Sequence, residues 1–301
     1  MAIQKEIWAR EIVNGLFADN SFASKATNDN MYVNQGKKVH IPNAGAPSKV
    51  EVNRSKIPAT ANKREDPDVE YTLDEFTTDP IYIPHAETVE LSYDKRNSVI
   101  SQDRAQLIEV AYQNLLYKWN PTSTNSIQTS GAGENAYTDK ATGKRKALTK
   151  DDVLKLMIRF DQQNIPQVDR YLLLDAVMYA QLLASMTETD NIGFFQAADV
   201  AKGIVGNLYG FNVMKRSQVL RYATGGTLSK WDTTGQATDN AAGLAWHKGS
   251  VSRALGEVKV FDSLDNPTYY GDIYSFLVRC GGAIRRNNKK GVCAIIQAPE
   301  A

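Results

Sequence analysis

A long charged stretch without helical periodicity most constrains what this chain can fold into. Across residues 43–70, Pro47, Pro58 and Pro67 recur and no apolar stripe of helical spacing is present. Five basic and five acidic residues lie there: Lys49, Arg54, Lys56, Lys63, Arg64, Glu51, Glu65, Asp66, Asp68 and Glu70. This composition offers too little apolar surface to offset the entropy lost on folding, so the stretch cannot fold alone.

Two structures remain open for this stretch. Val50 and Val52 alternate with polar residues, which favours a long two-stranded excursion from the body of the protein. The alternative is a disordered surface loop, because long irregular loops are commonly either functional or disordered.

An amphipathic segment near the amino terminus also needs a partner. Trp8, Ile12 and Leu16 recur every four residues within residues 3–18, which predicts a helix with one apolar stripe. A helix of this length is marginal in water on its own. We therefore expect the stripe to dock on the chain's own body or on a neighbouring subunit.

The longest helical pattern covers residues 94–119 and ends at Asn120-Pro121. Its apolar stripe consists of Ile100, Leu107, Ile108, Ala111, Leu115 and Trp119. At a rise of 1.5 Å per residue the helix is about 35 to 40 Å long, enough to run along a whole domain. Strand-like patterns precede it at residues 31–42 and 71–93.

The remainder of the chain mixes helices and strands. The predicted elements are a helix capped by Thr149 with Leu154, Met157 and Ile158 buried, a buried strand at 170–174, a helix at 175–183 and a strand at 211–213. The last third is predicted to hold a short helix at 244–255, strands at 258–261 and 274–278, and a terminal hairpin with arms 283–286 and 292–296. Helix, strand and helix in this order predict an α/β layer.

Charge and composition exclude several classes of protein. The 301 residues include 35 Lys and Arg against 34 Asp and Glu, which disfavours electrostatic capture of nucleic acid or of a membrane surface. Cys280 and Cys293 are too few for a disulfide scaffold or a four-cysteine zinc site. The amino terminus lacks a signal-peptide pattern and no apolar run approaches the roughly 20 residues that span a bilayer. A soluble protein made in a cytoplasm is expected.

The common catalytic and metal-binding motifs are missing from the sequence. His40, His85 and His247 have no acidic or cysteine partner at ligand spacing, and no Gly-x-Ser-x-Gly elbow or complete phosphate loop occurs. The basic clusters at 144–146 and 285–290 are compatible with contact to phosphates, but solvated turns account for them better. The sequence thus predicts no enzyme, no cofactor and no metal site, and favours a protein that works through its surfaces.

The order of these segments resembles the major capsid proteins of tailed bacteriophages, which share the Hong Kong 97 fold. The residues that carry the resemblance are GKKVHIP at 36–42, PQVDRYLLL at 166–174, GNLYGFNV at 206–213, LAWHK at 244–248 and RCGGA at 279–283. The first of them lies between the amphipathic arm and the charged excursion, and the other four follow the long helix, in the order typical of that family. The resemblance covers nearly the whole chain.

The resemblance implies an α+β fold with four parts. These are an N-arm with its first strand at 1–43, an extended E-loop hairpin at 44–80, a peripheral domain with a long spine helix at 81–120 and 257–301, and an α/β axial domain at 121–256. Contacts between subunits are expected from the arm and the loop, through Trp8, Ile12, Leu16, Arg54, Lys56, Lys63, Arg64, Glu65, Asp66 and Asp68.

A coat protein is the function that the resemblance implies. The chain is expected to assemble with itself into hexamers and pentamers of an icosahedral shell around double-stranded DNA, in a virion built in the host bacterial cytoplasm. A portal is an implied partner, and decoration proteins are compatible with it. Because the apparent arm begins within a few residues of Met1, we expect a separate scaffolding protein, or none, and no large maturation cleavage. The alternatives are an encapsulin-type compartment shell and an unrecognised soluble α/β enzyme.

Overall fold

A computed structural model describes most of the chain. The described residues are 21–32, 38–45, 47–55, 57–58, 61, 63–84, 95–121, 125–223, 225–230 and 232–300. The predicted amphipathic helix at 3–18, with Trp8, Ile12 and Leu16, lies outside them, as do Lys56 and His85.

The described part of the chain contains four α-helices and seventeen strands. The helices are α1 (Lys95–Lys118), α2 (Lys150–Gln162), α3 (Ala176–Ser185) and α4 (Glu188–Gln196). The strands are β1 (Thr27–Asn28), β2 (Lys38–Pro42), β3 (Asp68–Thr72), β4 (Asp74–Thr77), β5 (Ile81–Pro84), β6 (Ser126–Gln128), β7 (Gly133–Asn135), β8 (Lys144–Lys146), β9 (Arg170–Asp175), β10 (Ile204–Leu208), β11 (Phe211–Arg216), β12 (Leu220–Tyr222), β13 (Leu228–Ser229), β14 (Asn240–His247), β15 (Val251–Asn266), β16 (Gly271–Ile284) and β17 (Val292–Ile296). Within this part of the chain, no helix combines the length and apolarity needed to cross a bilayer.

Two large sheets and two small ribbons organise the strands. A five-stranded sheet has the order β1-β15-β16-β4, with β5 also paired to β16. An eight-stranded sheet has the order β10-β11-β9-β14-β12-β13, and β17 joins it between β14 and β6. The ribbons are β2-β3 and β7-β8. The mixture confirms an α+β protein, as the sequence predicts.

The eight-stranded sheet is covered on both faces. All six residues of β9 are buried, which confirms the buried strand predicted at 170–174. Leu172 and Leu174 belong to one apolar cluster with side chains of α2 and α3. Tyr171 and Leu173 point to the opposite cluster, which includes α1 and both large sheets. A strand buried on both faces is expected to be continuously apolar, as this one is.

Helix α1 confirms the long helix predicted at 94–119. Its Leu107, Ala111 and Leu115 are buried, and Trp119 just beyond its end is fully buried. The Trp119 ring lies 5.6 Å from the Trp246 ring, and its Nε1 donates to the Ser252 carbonyl at 2.8 Å. The helix is thereby fixed to both large sheets at its carboxyl end.

Helix α2 begins where Thr149 predicts but buries a different face. Val153, Leu156 and Phe160 are buried, whereas Ile158 is 45% exposed. The predicted buried face was therefore wrong for Ile158 and only partly confirmed for Leu154 and Met157, which are half-buried. Each position between 153 and 160 except the charged ones is apolar, so periodicity alone did not define the buried side.

Two predictions for the last third were also wrong. Residues 244–255 form no α-helix: β14 ends at His247, a single 3-10 turn covers Lys248–Ser250, and β15 begins at Val251. The arms 283–286 and 292–296 do not pair with each other, because β16 lies in the five-stranded sheet while β17 pairs with β14. In both cases tertiary burial decided the structure: seven of the eight residues of β14, and all five of β17, are buried.

Candidate assembly surfaces

The charged stretch rises from a short ribbon on the body. Strands β2 and β3 pair from Lys38 opposite Thr72 to Pro42 opposite Asp68. Val39 and Ile41 point inward and form a small core with Tyr71, Leu73 and Ala254. The outer face of the ribbon is polar. The strand prediction at 31–42 is confirmed for the described strand 38–42, and the period of two explains why its side chains alternate.

Hydrogen bonds across the base of the loop hold its two arms together. The Asn43 amide donates to the Pro67 carbonyl at 2.8 Å, and the Gly45 amide donates to the Asp66 carboxylate at 2.7 Å. The arms approach so closely that a Cβ added at Gly45 would lie 2.0 Å from the Glu65 carbonyl oxygen. The described residues between 47 and 67 contain no strand, so the two-stranded part is shorter than the sequence predicts.

Charges in the loop pair with charges close to them in sequence. The Arg64 guanidinium binds both carboxylate oxygens of Asp66, at 2.7 and 3.0 Å. This hydrogen bond lowers the pKa of Asp66, with help from the Gly45 amide. The Glu51 carboxylate lies 2.6 Å from Lys49 Nζ and 3.7 Å from Arg54 Nε. Local pairing explains how so many charges are accommodated on a segment without its own core.

Three apolar side chains in the same loop are exposed to solvent. Val50, Val52 and Ile57 are 89%, 88% and 83% exposed. Isolated exposed apolar residues are normal on a protein surface. Three within one short segment that also lacks a core indicate a surface that another chain can cover.

The ribbon meets the basic turn at 285–290 across an open groove of about 940 Å³. Glu65 and Asp66 line one side of the groove, and Arg285 and Arg286 line the other. Arg285 also forms an ion pair of 3.3 Å with the fully buried Asp29. The turn is therefore part of the attachment of the ribbon to the body, and its charges oppose those of the loop.

A second exposed apolar patch lies at the far end of the β15-β16 hairpin. Tyr269 and Tyr270 in its turn are 55% and 80% exposed, and Tyr82 on the adjacent β5 is 41% exposed. The rings of Tyr82 and Tyr269 are 6.0 Å apart. This aromatic tip projects from the five-stranded sheet, where a neighbouring molecule can reach it.

An internal cleft of about 340 Å³ lies between α1 and the eight-stranded sheet. Its buried Asp175 caps α3 through the Met178 amide at 2.7 Å and accepts a hydrogen bond from Tyr137 Oη at 2.6 Å. Burial raises the pKa of Asp175. Arg221 on another wall pairs with the buried Asp239 at 3.0 Å. Among the described lining residues there is no histidine or cysteine, and these polar groups bind one another.

The two cysteines are poor nucleophiles. Burial raises the pKa of Cys293 and of Cys280 to about 12, so both thiols stay protonated at neutral pH. His247 accepts the Gly249 amide at 3.1 Å, and burial lowers its pKa. These groups thus serve the local structure.

The fold brings together one set of side chains that sequence spacing did not reveal. His40, Asp68 and Glu70 meet on the outer face of the ribbon, with His40 Nδ1 at 2.9 Å from Asp68 and 3.3 Å from Glu70. No acidic partner of His40 occurs at ligand spacing in the sequence, but the fold supplies two from a strand about 30 residues further along the chain. The signal in the sequence was weak, because it depended on knowing that 38–42 and 68–72 pair in this register.

The other predicted contact residues of the loop are placed apart from this set. Arg54 and Arg64 bind neighbouring carboxylates, while Lys63 and Glu65 are exposed. The role of these residues in contacts between subunits stays a prediction.

No family model and no curated protein matches the chain. Solved structures do. The capsid of Ralstonia phage GP4 matches with a TM-score of 0.63 at 10% identity, over 92% of this chain and 88% of that one. The capsid structure of cyanophage P-SCSP1u matches with a TM-score of 0.60 at 17% identity, over 92% and 86%. A virus-like particle from Pyrococcus furiosus matches with a TM-score of 0.54 at 10% identity, over 97% and 99%.

These comparisons define the class of fold. The chain has the fold of phage capsid proteins, and the likeness extends over about nine tenths of it. The family resemblance drawn from the sequence is confirmed at this level.

Proposed function

We propose that this chain is the major capsid protein of a tailed phage, which assembles into hexamers and pentamers of an icosahedral shell around double-stranded DNA. The observation that carries the proposal is the similarity in fold to phage capsids over about nine tenths of the chain. The exposed loop and the aromatic tip support it, because both present surfaces suited to repeated contacts between copies.

The four parts expected from the sequence fit this proposal. The N-arm at 1–43, the E-loop at 44–80, the peripheral domain at 81–120 and 257–301, and the axial domain at 121–256 keep these limits as predictions. In this assignment α1 is the spine helix. The pairing of β17 with β14 favours counting residues 292–296 with the axial sheet instead.

Contacts between neighbouring copies would involve the apolar stripe of the arm and the charged loop. Trp8, Ile12 and Leu16 would dock on a neighbour. The loop charges would pair across the contact as well as within the loop, which sets register and partner choice more than affinity. The residues concerned in the loop are Arg54, Lys56, Lys63, Arg64, Glu65, Asp66 and Asp68.

The charge balance limits how such a shell would hold its contents. With 35 basic and 34 acidic residues the subunit has little net attraction for phosphates. A wall of this kind suits DNA that is enclosed without being bound in a sequence-specific manner. A portal and a scaffolding protein would act beside it, decoration proteins are compatible with it, and the virion, assembled in the bacterial cytoplasm, would be its location.

A compartment shell of the encapsulin type is the second candidate. The likeness to the virus-like particle from Pyrococcus furiosus, which covers nearly all of both chains, favours it. The two candidates differ in contents: the first predicts nuclease-protected DNA in native particles, and the second predicts protein cargo.

Electron microscopy and size-exclusion chromatography of the purified full chain test assembly itself. We expect closed shells whose native form contains DNA. A chain that stays monomeric at high concentration would contradict both candidates and favour an unrecognised enzyme.

Deletion of residues 2–18 tests the arm. We expect loss of shells while the unassembled chain keeps the urea-unfolding midpoint of the wild type, because the stripe would stabilise contacts between copies and not the body. The matched control replaces the polar Gln4 and Lys5 with Ala and keeps Trp8, Ile12 and Leu16. Normal shells from the deletion variant would refute the role of the arm.

A further inference from the structure

The outer face of the β2-β3 ribbon presents three metal-ligating side chains on one patch. His40 lies directly opposite Glu70 in the antiparallel register, and Asp68 lies opposite Pro42, two residues along the same strand. Because side chains alternate between faces, His40, Asp68 and Glu70 all point outward while Val39 and Ile41 fill the small core below. The ribbon therefore fixes all three on a paired backbone.

Two of the three distances within this patch suit neighbouring ligands of one ion. His40 Nδ1 lies 2.9 Å from Asp68 Oδ2 and 3.3 Å from Glu70 Oε1, and one ligand atom from each of the three lies within 4.8 Å of the others. Ligand bonds of about 2.0 to 2.2 Å place neighbouring ligand atoms about 2.9 to 3.5 Å apart in octahedral or tetrahedral geometry. The two shorter distances match this range, so small rotations of the side chains suffice to surround one ion.

A lysine outside the set orients one of the carboxylates. Lys38 Nζ lies 3.4 Å from Glu70 Oε2, the oxygen that does not face His40. Glu70 Oε1 is thus left for an ion, and the lysine takes the place of the outer-shell partner that ligating carboxylates usually have. The same lysine offsets part of the negative charge of the site.

We propose that His40, Asp68 and Glu70 bind a divalent transition-metal ion of the zinc type. One imidazole and two carboxylates are a donor set suited to such ions. All three residues are exposed, so water, or a side chain of another copy, fills the remaining positions. Three ligands on an exposed ribbon give weaker binding than a buried four-ligand site. The proposal does not depend on the capsid function.

Isothermal titration of Zn²⁺ into the full chain tests the proposal. We expect one site per chain with micromolar affinity, and at least a tenfold loss of affinity in each of His40→Ala, Asp68→Asn and Glu70→Gln. The matched control is Asp199→Asn, an exposed carboxylate paired with Lys202 in another part of the fold, which should bind as the wild type does. Thermal unfolding of every variant without metal verifies that the fold is kept.

A second measurement distinguishes coordination of the metal ion from non-specific electrostatic binding. Co²⁺ in place of Zn²⁺ should give visible absorption bands of a nitrogen-containing site in the wild type, and these bands should be lost in His40→Ala. Absence of Zn²⁺ binding at 100 µM, or binding that is equally strong in His40→Ala, would overturn the proposal.

Discussion

The eight-stranded sheet buries its apolar residues, whereas the charged loop exposes them to solvent. In β9 and β17 every residue is buried, whereas Val50, Val52 and Ile57 in the loop are more than 80% exposed. The sheet obtains its stability within one chain. The described part of the loop has local ion pairs and the bonds at its base but no core of its own, so its apolar surface is available to another molecule. The comparison separates residues that hold the subunit together from residues available for assembly.

Leu172→Ala should give the largest loss of folding stability. Leu172 is fully buried in β9, with α2 and α3 covering its face of the sheet. Removing its side chain leaves a cavity, and the expected loss is about 3 kcal/mol in the free energy of unfolding. Urea unfolding of the unassembled subunit measures it. Ile158→Ala, on the exposed side of α2, is the control and should change stability by less than about 0.5 kcal/mol. If both variants lowered the free energy of unfolding equally, burial in the sheet would not be the source of its stability.

Asp29→Ala should weaken the junction between the two regions. Asp29 is fully buried and contacts Arg285 at 3.3 Å and Tyr71 Oη at 3.4 Å. Loss of its carboxylate leaves Arg285 only partly compensated, at a cost of about 2 kcal/mol, less than for a fully buried pair because Arg285 retains some contact with solvent. Urea unfolding tests this. Lys38→Ala removes an exposed ion pair and should cost less than about 0.5 kcal/mol. If Asp29→Ala leaves the free energy of unfolding unchanged, the ribbon is held to the body by its apolar core alone.

Asp152→Asn should cost about 1 to 2 kcal/mol at neutral pH. The buried carboxylate accepts hydrogen bonds from the Ser130 amide and hydroxyl and from the Thr149 amide, and Lys155 lies at 3.0 Å. The Asn side chain replaces one acceptor oxygen with an NH₂ group, so some of these donors face another donor and lose their hydrogen bond. Asp151→Asn, exposed in the same helical turn, is the control and should cost less than about 0.5 kcal/mol.

The effect of Asp152 should also depend on pH. Burial raises the pKa of this carboxyl, but the hydrogen bonds lower it by more, so the folded-state pKa lies below its ordinary value. Its contribution to stability is then complete above about pH 4 and is lost as the pH falls through the lowered pKa. Urea unfolding at pH 7, 5 and 3 should show the difference between wild type and Asp152→Asn shrinking only at the lowest pH. A difference that grows in acid would reverse the assigned sign.

The double variant Val50→Asp, Val52→Asp should have the smallest effect on folding and a large one on assembly. Both side chains are exposed in the subunit, so the free energy of unfolding should change by less than about 0.5 kcal/mol. Shell yield in quantitative chromatography should fall about tenfold or more, a change of about 1.4 kcal/mol. Val50→Ile, Val52→Ile keeps the apolar surface and should assemble normally. A full yield of shells from the aspartate variant would show that this part of the loop does not contribute to contacts between copies.

The sequence predicted the elements that have one dominant periodicity. Helix α1, the buried strand at 170–174 and the alternating strand at 38–42 were predicted because burial on one face, or on both, leaves a regular pattern. The predicted helix at 244–255 includes only the second half of β14, and no strand is predicted for the first half, because Ala241, Ala242 and Gly243 are small and carry no strand signal. They are buried there because β14 pairs with both β9 and β17.

Pairings between strands that are distant in sequence were the main feature of the fold that the sequence did not predict. The cluster of His40, Asp68 and Glu70 exists only because β2 and β3 align in one register, and nothing local in the chain encodes that alignment. The predicted terminal hairpin failed for the same reason, since the partner of β17 is β14. The charged loop, in contrast, was recognisable from composition alone, although its ion pairs were not.

The position of β17 has a consequence for how the subunit is made. This strand, at residues 292–296, lies between β14 and β6, so the eight-stranded sheet stays incomplete until those residues have left the ribosome. Contacts between such distant parts of a chain form late and slowly. A nascent chain that has not reached these residues therefore cannot complete the sheet, and it exposes the edge of β14 that β17 later covers. An unpaired strand edge is a site of aggregation, so the arrival of β17 also closes a surface through which an unfinished chain could stick to other chains.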